Sequence, residues 1–140
     1  MPPEPAQAII RSPAEIANIA PSSFPASLRG NVSWRTILSS SSQSPSSSLC
    51  AGIAECPSGG SLALHRHAQA ELYFILDGSG EVEIGGVRHA VCGGTVVWIP
   101  GDVEHGVFCG GDEKLRWLYA FPEGRFEDVV YHFRDDDGPR

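Results

Sequence analysis

The sequence predicts one all-β domain, a small barrel of two facing antiparallel sheets preceded by a short helix and an arm. Three observations point there. From Leu49 onward glycine or proline punctuates the chain roughly every 8 to 12 residues, the rhythm of a sandwich or barrel. Between these breaks, short runs alternate apolar and polar side chains with the strand period of two, and no helix-period pattern competes. At 140 residues the chain fits a single domain with one core, and it contains no internal repeats.

Taken in order, Ser12-Pro13-Ala14-Glu15 is a capping-box pattern with proline at the first helical position. It predicts a helix from Pro13 to about Ile19, stopped by Pro21, within an arm spanning residues 1–30. Asn31 to Leu38 alternates as a strand with Val32, Trp34 and Thr36 on one face, and opens a barrel spanning 31–134. Residues 39–48 are nearly all serine, with Pro45 among them; lacking apolar area to bury, they predict a flexible loop. Strands are then expected at Leu49–Glu55, Leu62–His67, Glu71–Leu76, Gly80–Ile84, Val87–Val91, Thr95–Ile99, His105–Cys109, Lys114–Phe121 and Val129–Phe133. Gly85-Gly86 is a hairpin signal, since a tight turn between strands needs positive φ. Residues 135–140 read as a solvated acidic tail, with Asp135, Asp136 and Asp137.

The formal net charge of -7 argues against nucleic acid as a partner, because phosphates are held mainly by Lys and Arg. No apolar run approaches the ~18 residues of a membrane span, and the N-terminus lacks a basic stretch followed by an apolar one. The expectation is a full-length cytoplasmic protein without a membrane partner. Cys50, Cys56, Cys92 and Cys109 show no Cys-x-x-Cys spacing and are expected to be free, buried thiols.

The chemistry-bearing residues concentrate between Gly59 and His105. His65 and His67 stand two apart on a predicted strand, so both imidazoles leave the same face. Glu71 opens the next strand after a short Ala-Gln-Ala connection, and Tyr73, two residues on, shares its face. His105 comes from a second stretch, and Cys109, four residues later, falls on the same strand face. Leu115, Trp117, Tyr119 and Phe121 share one face of a late strand, which is either core or the aromatic wall of a pocket; Trp34 is open to the same two readings. His89, His132 and Arg66 fall outside this constellation.

These spacings resemble the two motifs of the cupin superfamily. Gly59, five residues, His65, one, His67, three, Glu71, six, Gly78 matches the first motif; Gly94, five residues, Pro100, then His105 five further on resembles the second. The second departs at Asp102, where the family usually has Gly, and at Cys109, where it usually has Asn. The resemblance implies a single-domain cupin, a double-stranded β-helix or jelly-roll barrel, with one divalent metal on His65, His67, Glu71 and His105. That ligand set suits Fe, Zn, Ni, Mn or Cu without choosing among them. Glu71-x-Tyr73 and the tail from Trp117 to Phe133 further resemble the short cupins grouped with dimethylsulfoniopropionate lyases. That grouping implies a lyase in which Tyr73 removes a proton next to a metal-held carboxylate, and in which Trp117 and Tyr119 hold a cationic group. An Fe(II) dioxygenase, a biosynthetic isomerase or cyclase, and a non-catalytic small-molecule-binding domain are the alternatives the family offers. The expected partners are a small-molecule substrate and a second copy of the chain, a homodimer joined through sheet faces or the strand around Trp34.

Overall fold

The computed structural model describes residues 8–42 and 44–134; the acidic tail at 135–140 and the first seven residues of the arm lie outside it. Eleven strands among the described residues form two antiparallel sheets. They are β1 (Ser22–Ser23), β2 (Ser33–Leu38), β3 (Cys50–Cys56), β4 (Ser61–Arg66), β5 (Glu71–Asp77), β6 (Ser79–Ile84), β7 (Val87–Cys92), β8 (Val96–Ile99), β9 (His105–Phe108), β10 (Leu115–Phe121) and β11 (His132–Phe133). One sheet runs β1-β2-β3-β10-β5-β8, the other β11-β4-β9-β6-β7. The all-β class and the two facing sheets are as the sequence predicts. Among the described residues no helix is long and apolar enough to cross a membrane.

Strand alternation builds the interior. On β10, Leu115, Trp117, Tyr119 and Phe121 are buried while Arg116, Leu118 and Ala120 lie on the other face. The Gly85-Gly86 turn joins Ile84 to Val87, with φ of 57° and 86° at the two glycines. One strand breaks the period. Leu62 pairs with Val107 but His65 with His105, so three residues of β4 span two of β9. This bulge re-aims the strand, and Leu62 and His65 both face the core although simple alternation would oppose them.

Four expectations need correction. The helix α1 covers Pro13–Ala17 and ends at Asn18, short of Ile19, although the capping box forms in full: the Glu15 N–H donates to the Ser12 hydroxyl at 3.2 Å and the Ser12 N–H to the Glu15 carboxylate at 3.3 Å. The serine-rich loop is tied down by hydrogen bonds instead of apolar burial. The Ser42 hydroxyl has the carbonyls of Ile37, Ser39 and Ser44 within 3.0 to 3.2 Å as acceptors for its one hydrogen and itself accepts from the Ser44 N–H, the Phe126 N–H donates to the Ser39 hydroxyl, and Ser39 and Ser44 are buried. The strand expected from Val129 is only His132–Phe133, because a 3-10 turn at Phe126–Asp128 carries the chain back over the barrel mouth first. Cys109 shares a face with His105 but not a neighbourhood. At ~3.3 Å per residue it lies roughly 13 Å farther along, fully buried, where its thiol donates to the Glu113 carbonyl.

Candidate metal centre

Both sheets contribute to one end of the interior. β4 and the residue after it place His65 and His67, β9 starts at His105, and β5 starts at Glu71 from the opposite sheet. All four are buried, at 3% exposure or less. One ring nitrogen from each of the three histidines lies within 4.8 Å of the others. Glu71 Oε1 sits 3.2 Å from His67 Nε2 and 3.3 Å from His105 Nε2. The loop before His105 is held by a hydrogen bond from the Asp102 N–H to the His67 carbonyl at 2.8 Å. Asp102 has φ of 63°, the left-handed region where glycine is favoured, which is why this departure from the family pattern is tolerable: Asp is among the few side chains that adopt it readily.

The second ring nitrogens fix what the first can do. His65 Nδ1 lies 2.8 Å from the Ala63 carbonyl, His67 Nδ1 2.9 Å from the Gln69 carbonyl, and His105 Nδ1 2.9 Å from the Val103 carbonyl. A carbonyl only accepts, so each Nδ1 carries the hydrogen and each Nε2 presents a lone pair. Three lone pairs and a carboxylate oxygen therefore face one another in a buried pocket. Among the described residues His65 Nε2 and His105 Nε2 are buried with no hydrogen-bond partner, a costly arrangement that a cation between them would relieve. A proton is a poor candidate at His65, whose pKa is held well below 6.5 by burial and then by His105. A divalent metal fits the donor set: it takes neutral imidazoles through Nε2, orients them through the Nδ1–H···O=C bonds already present, and neutralises Glu71.

Beside this cluster an aromatic chamber opens, lined by Phe24, Trp34, Glu71, Tyr73, Trp117, Tyr119, Phe126 and Tyr131 with smaller apolar side chains. Its free space is ≈ 20 Å³, room for about one water. Tyr73, Trp117, Tyr119 and Trp34, singled out in the sequence, all line it, whereas Cys109 does not. His89 and His132 are exposed, away from it, and so, against the expectation of buried thiols, is Cys92, which ends β7 next to a turn. The tyrosines differ in how their hydroxyls are used. Tyr119 shares a 2.8 Å hydrogen bond with Thr36, while the Tyr73 hydroxyl makes none among the described residues although its ring is 1% exposed. Burial, then the Glu71 carboxylate, then Tyr131 push the Tyr73 phenol well above its ordinary 10.

Tyr131 is the residue that sequence reasoning missed. Its ring stacks on His65 with centroids 4.9 Å apart and an angle of 19° between planes, and it stands 5.2 Å from His67. It precedes β11 in an irregular segment, so no alternation could reveal which way it turns. Phe24 and Phe126 were missed for the same reason; Phe24 meets Trp34 at 4.7 Å and Phe126 meets it at 6.2 Å, closing the mouth.

Three comparisons bear on this geometry. A family model described as "Cupin domain" matches residues 52–121. The chain is 42% identical over 104 residues to the dimethylsulfoniopropionate lyase DddW of Ruegeria pomeroyi, covering 74% of this chain and 67% of that protein. Among solved structures, the polyketide cyclase RemF from Streptomyces resistomycificus superposes with a TM-score of 0.74 at 17% identity, covering 91% of this chain and 86% of RemF. The dimethylsulfoniopropionate lyase DddQ from Ruegeria pomeroyi superposes with a TM-score of 0.64 at 22% identity, covering 79% of this chain and 54% of DddQ. At these identities the two structures establish a shared fold.

Proposed function

The chain belongs to the cupin family, and from that premise we propose that it is a metal-dependent lyase that eliminates a sulfide from a short sulfonium carboxylate, dimethylsulfoniopropionate being the first candidate. The observation that carries this reading is the unbonded Tyr73 hydroxyl in an aromatic chamber beside three convergent imidazoles and Glu71. The 42% identity to a dimethylsulfoniopropionate lyase supports it.

His65, His67 and His105, with Glu71 beside them, would hold a divalent metal. Such an ion would supply positive charge near a substrate carboxylate and offset the burial and the Glu71 charge opposing ionisation of Tyr73. Tyr73, as phenolate, takes the proton from the carbon next to the carboxylate. The electron pair left behind forms the double bond, the carbon–sulfur bond breaks, and the sulfide departs with the bonding pair. Products are an unsaturated carboxylate and a neutral sulfide, with no oxidant consumed. Trp34, Trp117, Tyr119 and Phe126 supply π faces for the sulfonium, each contact worth about 0.5 to 2 kcal/mol, and among the described residues no Lys or Arg lines the chamber to repel it. Admitting a substrate larger than one water requires the mouth rings of Phe24 and Phe126 to move aside.

The test is headspace measurement of dimethyl sulfide from metal-loaded protein, with oxygen uptake followed in parallel. Wild type should release sulfide without consuming oxygen. Metal-loaded Tyr73→Phe should lose on the order of 10² to 10⁴ in turnover while keeping its metal. Oxygen uptake coupled to substrate loss, or more than about a tenth of wild-type turnover in Tyr73→Phe, overturns the reading.

A further inference from the structure

The larger sheet forms one wall of the aromatic chamber, and a strand in the middle of that wall is built from small side chains. β3 turns Cys50, Gly52, Ala54 and Cys56 inward, all of them buried. In register, Trp117 of β10 and Trp34 of β2 flank Ala54, while Tyr119 and Thr36 flank Gly52. β1 pairs with the outer edge of β2 at Ser33 and Trp34, so the edge that the sequence offered to a second copy is occupied there. The Tyr119 phenol crosses β3 at Gly52 and meets the Thr36 hydroxyl at 2.8 Å. A Cβ at position 52 would clash with the Tyr119 hydroxyl oxygen and stand 2.6 Å from Tyr119 Cζ. Gly52 is not among the residues with positive φ, so the backbone does not call for glycine there; the phenol lying over it does.

We propose that Gly52 and Thr36 are positioning residues that set the size of head group the chamber admits: Gly52 leaves the room in which the Tyr119 phenol lies along the wall, and Thr36 holds it there. The inference rests on the reading of the chamber as the seat of a cationic head group and names two residues that shape that seat without lining it. An alanine at position 52 has to open the 2.6 Å approach to Cζ to the 3.4 Å at which ordinary contact begins, which displaces the ring by at least about 0.8 Å. β3 lies beneath the ring, so the displaced ring rises into the chamber. The free space there is only ≈ 20 Å³, and packed aromatic neighbours leave little to absorb the movement: Phe121 and Phe126 already stand 5.9 and 5.8 Å from Tyr119. A trimethylated head group loses its place first. A bare carboxylate directed at the metal centre needs none of that space and keeps its own.

Calorimetric titration of metal-loaded protein with two probes tests this: β-alanine betaine, a trimethylammonium carboxylate, and propionate, the same carboxylate without the head group. Circular dichroism and elemental analysis verify fold and metal content in each variant. Wild type should bind the betaine more tightly than propionate. Gly52→Ala should weaken betaine binding by about 10-fold or more, as a misplaced methyl in a fitted pocket does. Thr36→Val should weaken it by about 2- to 10-fold, the worth of one hydrogen bond. Both variants should keep propionate binding and metal content at the wild-type level. In a Tyr119→Leu background, where no phenol lies over position 52, Gly52→Ala should cost nothing further. A Cβ there also meets the Arg35 carbonyl, so if Gly52→Ala misfolds, Thr36→Val decides. Wild-type betaine binding in either folded variant, equal loss of both probes, or a further loss in the Tyr119→Leu background overturns this inference alone. Equal binding of the two probes by wild type overturns the head-group reading of the chamber and this inference with it.

Discussion

The two ends of the barrel interior are built from the same strands and could hardly differ more. β9 enters with His105 and continues inward through Val107; β5 enters with Glu71 and Tyr73 and reaches Ile75; β10 runs from Leu115 at the far end through Trp117, which reaches the chamber, to Tyr119 and Phe121 near the metal centre. At the closed end the buried residues are Ile75, Val82, Val107, Leu115 and the thiols of Cys56 and Cys109, all at 0% exposure. Burial itself stabilises that end. At the open end burial works against the groups present, because among the described residues His65 Nε2 and His105 Nε2 lose water and gain no hydrogen-bond partner in return. One end holds the barrel together, and the other gathers the donor groups that could hold a cation.

The contrast is broken most completely by His67→Ala. Elemental analysis should find almost no divalent metal in this variant, against about one ion per chain in wild type, with the fold retained. Full occupancy would mean that the lone-pair argument fails. At the closed end Leu115→Ala should do the opposite. Denaturant unfolding should show a loss of about 2 to 5 kcal/mol, the range for truncating a fully buried leucine, with metal stoichiometry unchanged. If the Leu115 variant sheds metal, the two ends are coupled and the division drawn here is wrong.

How much of this was legible in the sequence follows the same division. Period-two alternation and glycine spacing place the strands, and motif spacing brings His65, His67, Glu71 and His105 together, because each of those signals is local along the chain. Tyr131 and Phe24 were invisible in irregular segments, and Phe126 in a three-residue 3-10 turn, since the direction of each is set by tertiary packing. Cys109 was misplaced because alternation reports face and says nothing of depth. The bulge between Leu62 and His65 was hidden too: the His-x-His pattern announces a shared face for the two histidines but cannot tell that Leu62 must share it. The serine-rich loop misled because composition measures apolar burial alone, and this loop is ordered by hydroxyl-to-carbonyl bonds.

A pH series on metal-free protein sharpens the comparison further. Folded His65 has its pKa well below 6.5 through burial, so the folded state keeps it neutral while the unfolded chain takes up a proton near 6.5. The unfolded state therefore binds more protons in this window. Stability is complete above about pH 6.5 and falls as pH drops below it, by up to about 1.4 kcal/mol per pH unit from this group. Chemical unfolding of chelator-treated protein between about pH 7.5 and 5 measures it. The slope should persist in Leu115→Ala, whose lesion lies at the end without imidazoles. Equal stability across the series in the wild type would contradict the burial of a neutral His65.

The smallest effect separates two tyrosines that face each other across β5 and β10. Tyr73 and Tyr119 are register partners and line the same chamber, yet only Tyr119 has its hydroxyl satisfied, by Thr36 at 2.8 Å. Removing that hydroxyl in Tyr119→Phe breaks a largely buried hydrogen bond and leaves the Thr36 hydroxyl wanting a partner, so stability should fall by about 0.5 to 1.5 kcal/mol. Removing the Tyr73 hydroxyl breaks no hydrogen bond among the described residues, and Tyr73→Phe should unfold close to the wild-type midpoint, since the ring's packing is kept. Activity should sort the pair the other way, with the Tyr119 variant retaining most of its turnover and the Tyr73 variant nearly none. Side-by-side urea unfolding of the two metal-free variants reads the difference directly. A loss in Tyr73→Phe equal to that in Tyr119→Phe would show that the Tyr73 hydroxyl has a structural partner in solution, and the reason for assigning it to the substrate would be gone.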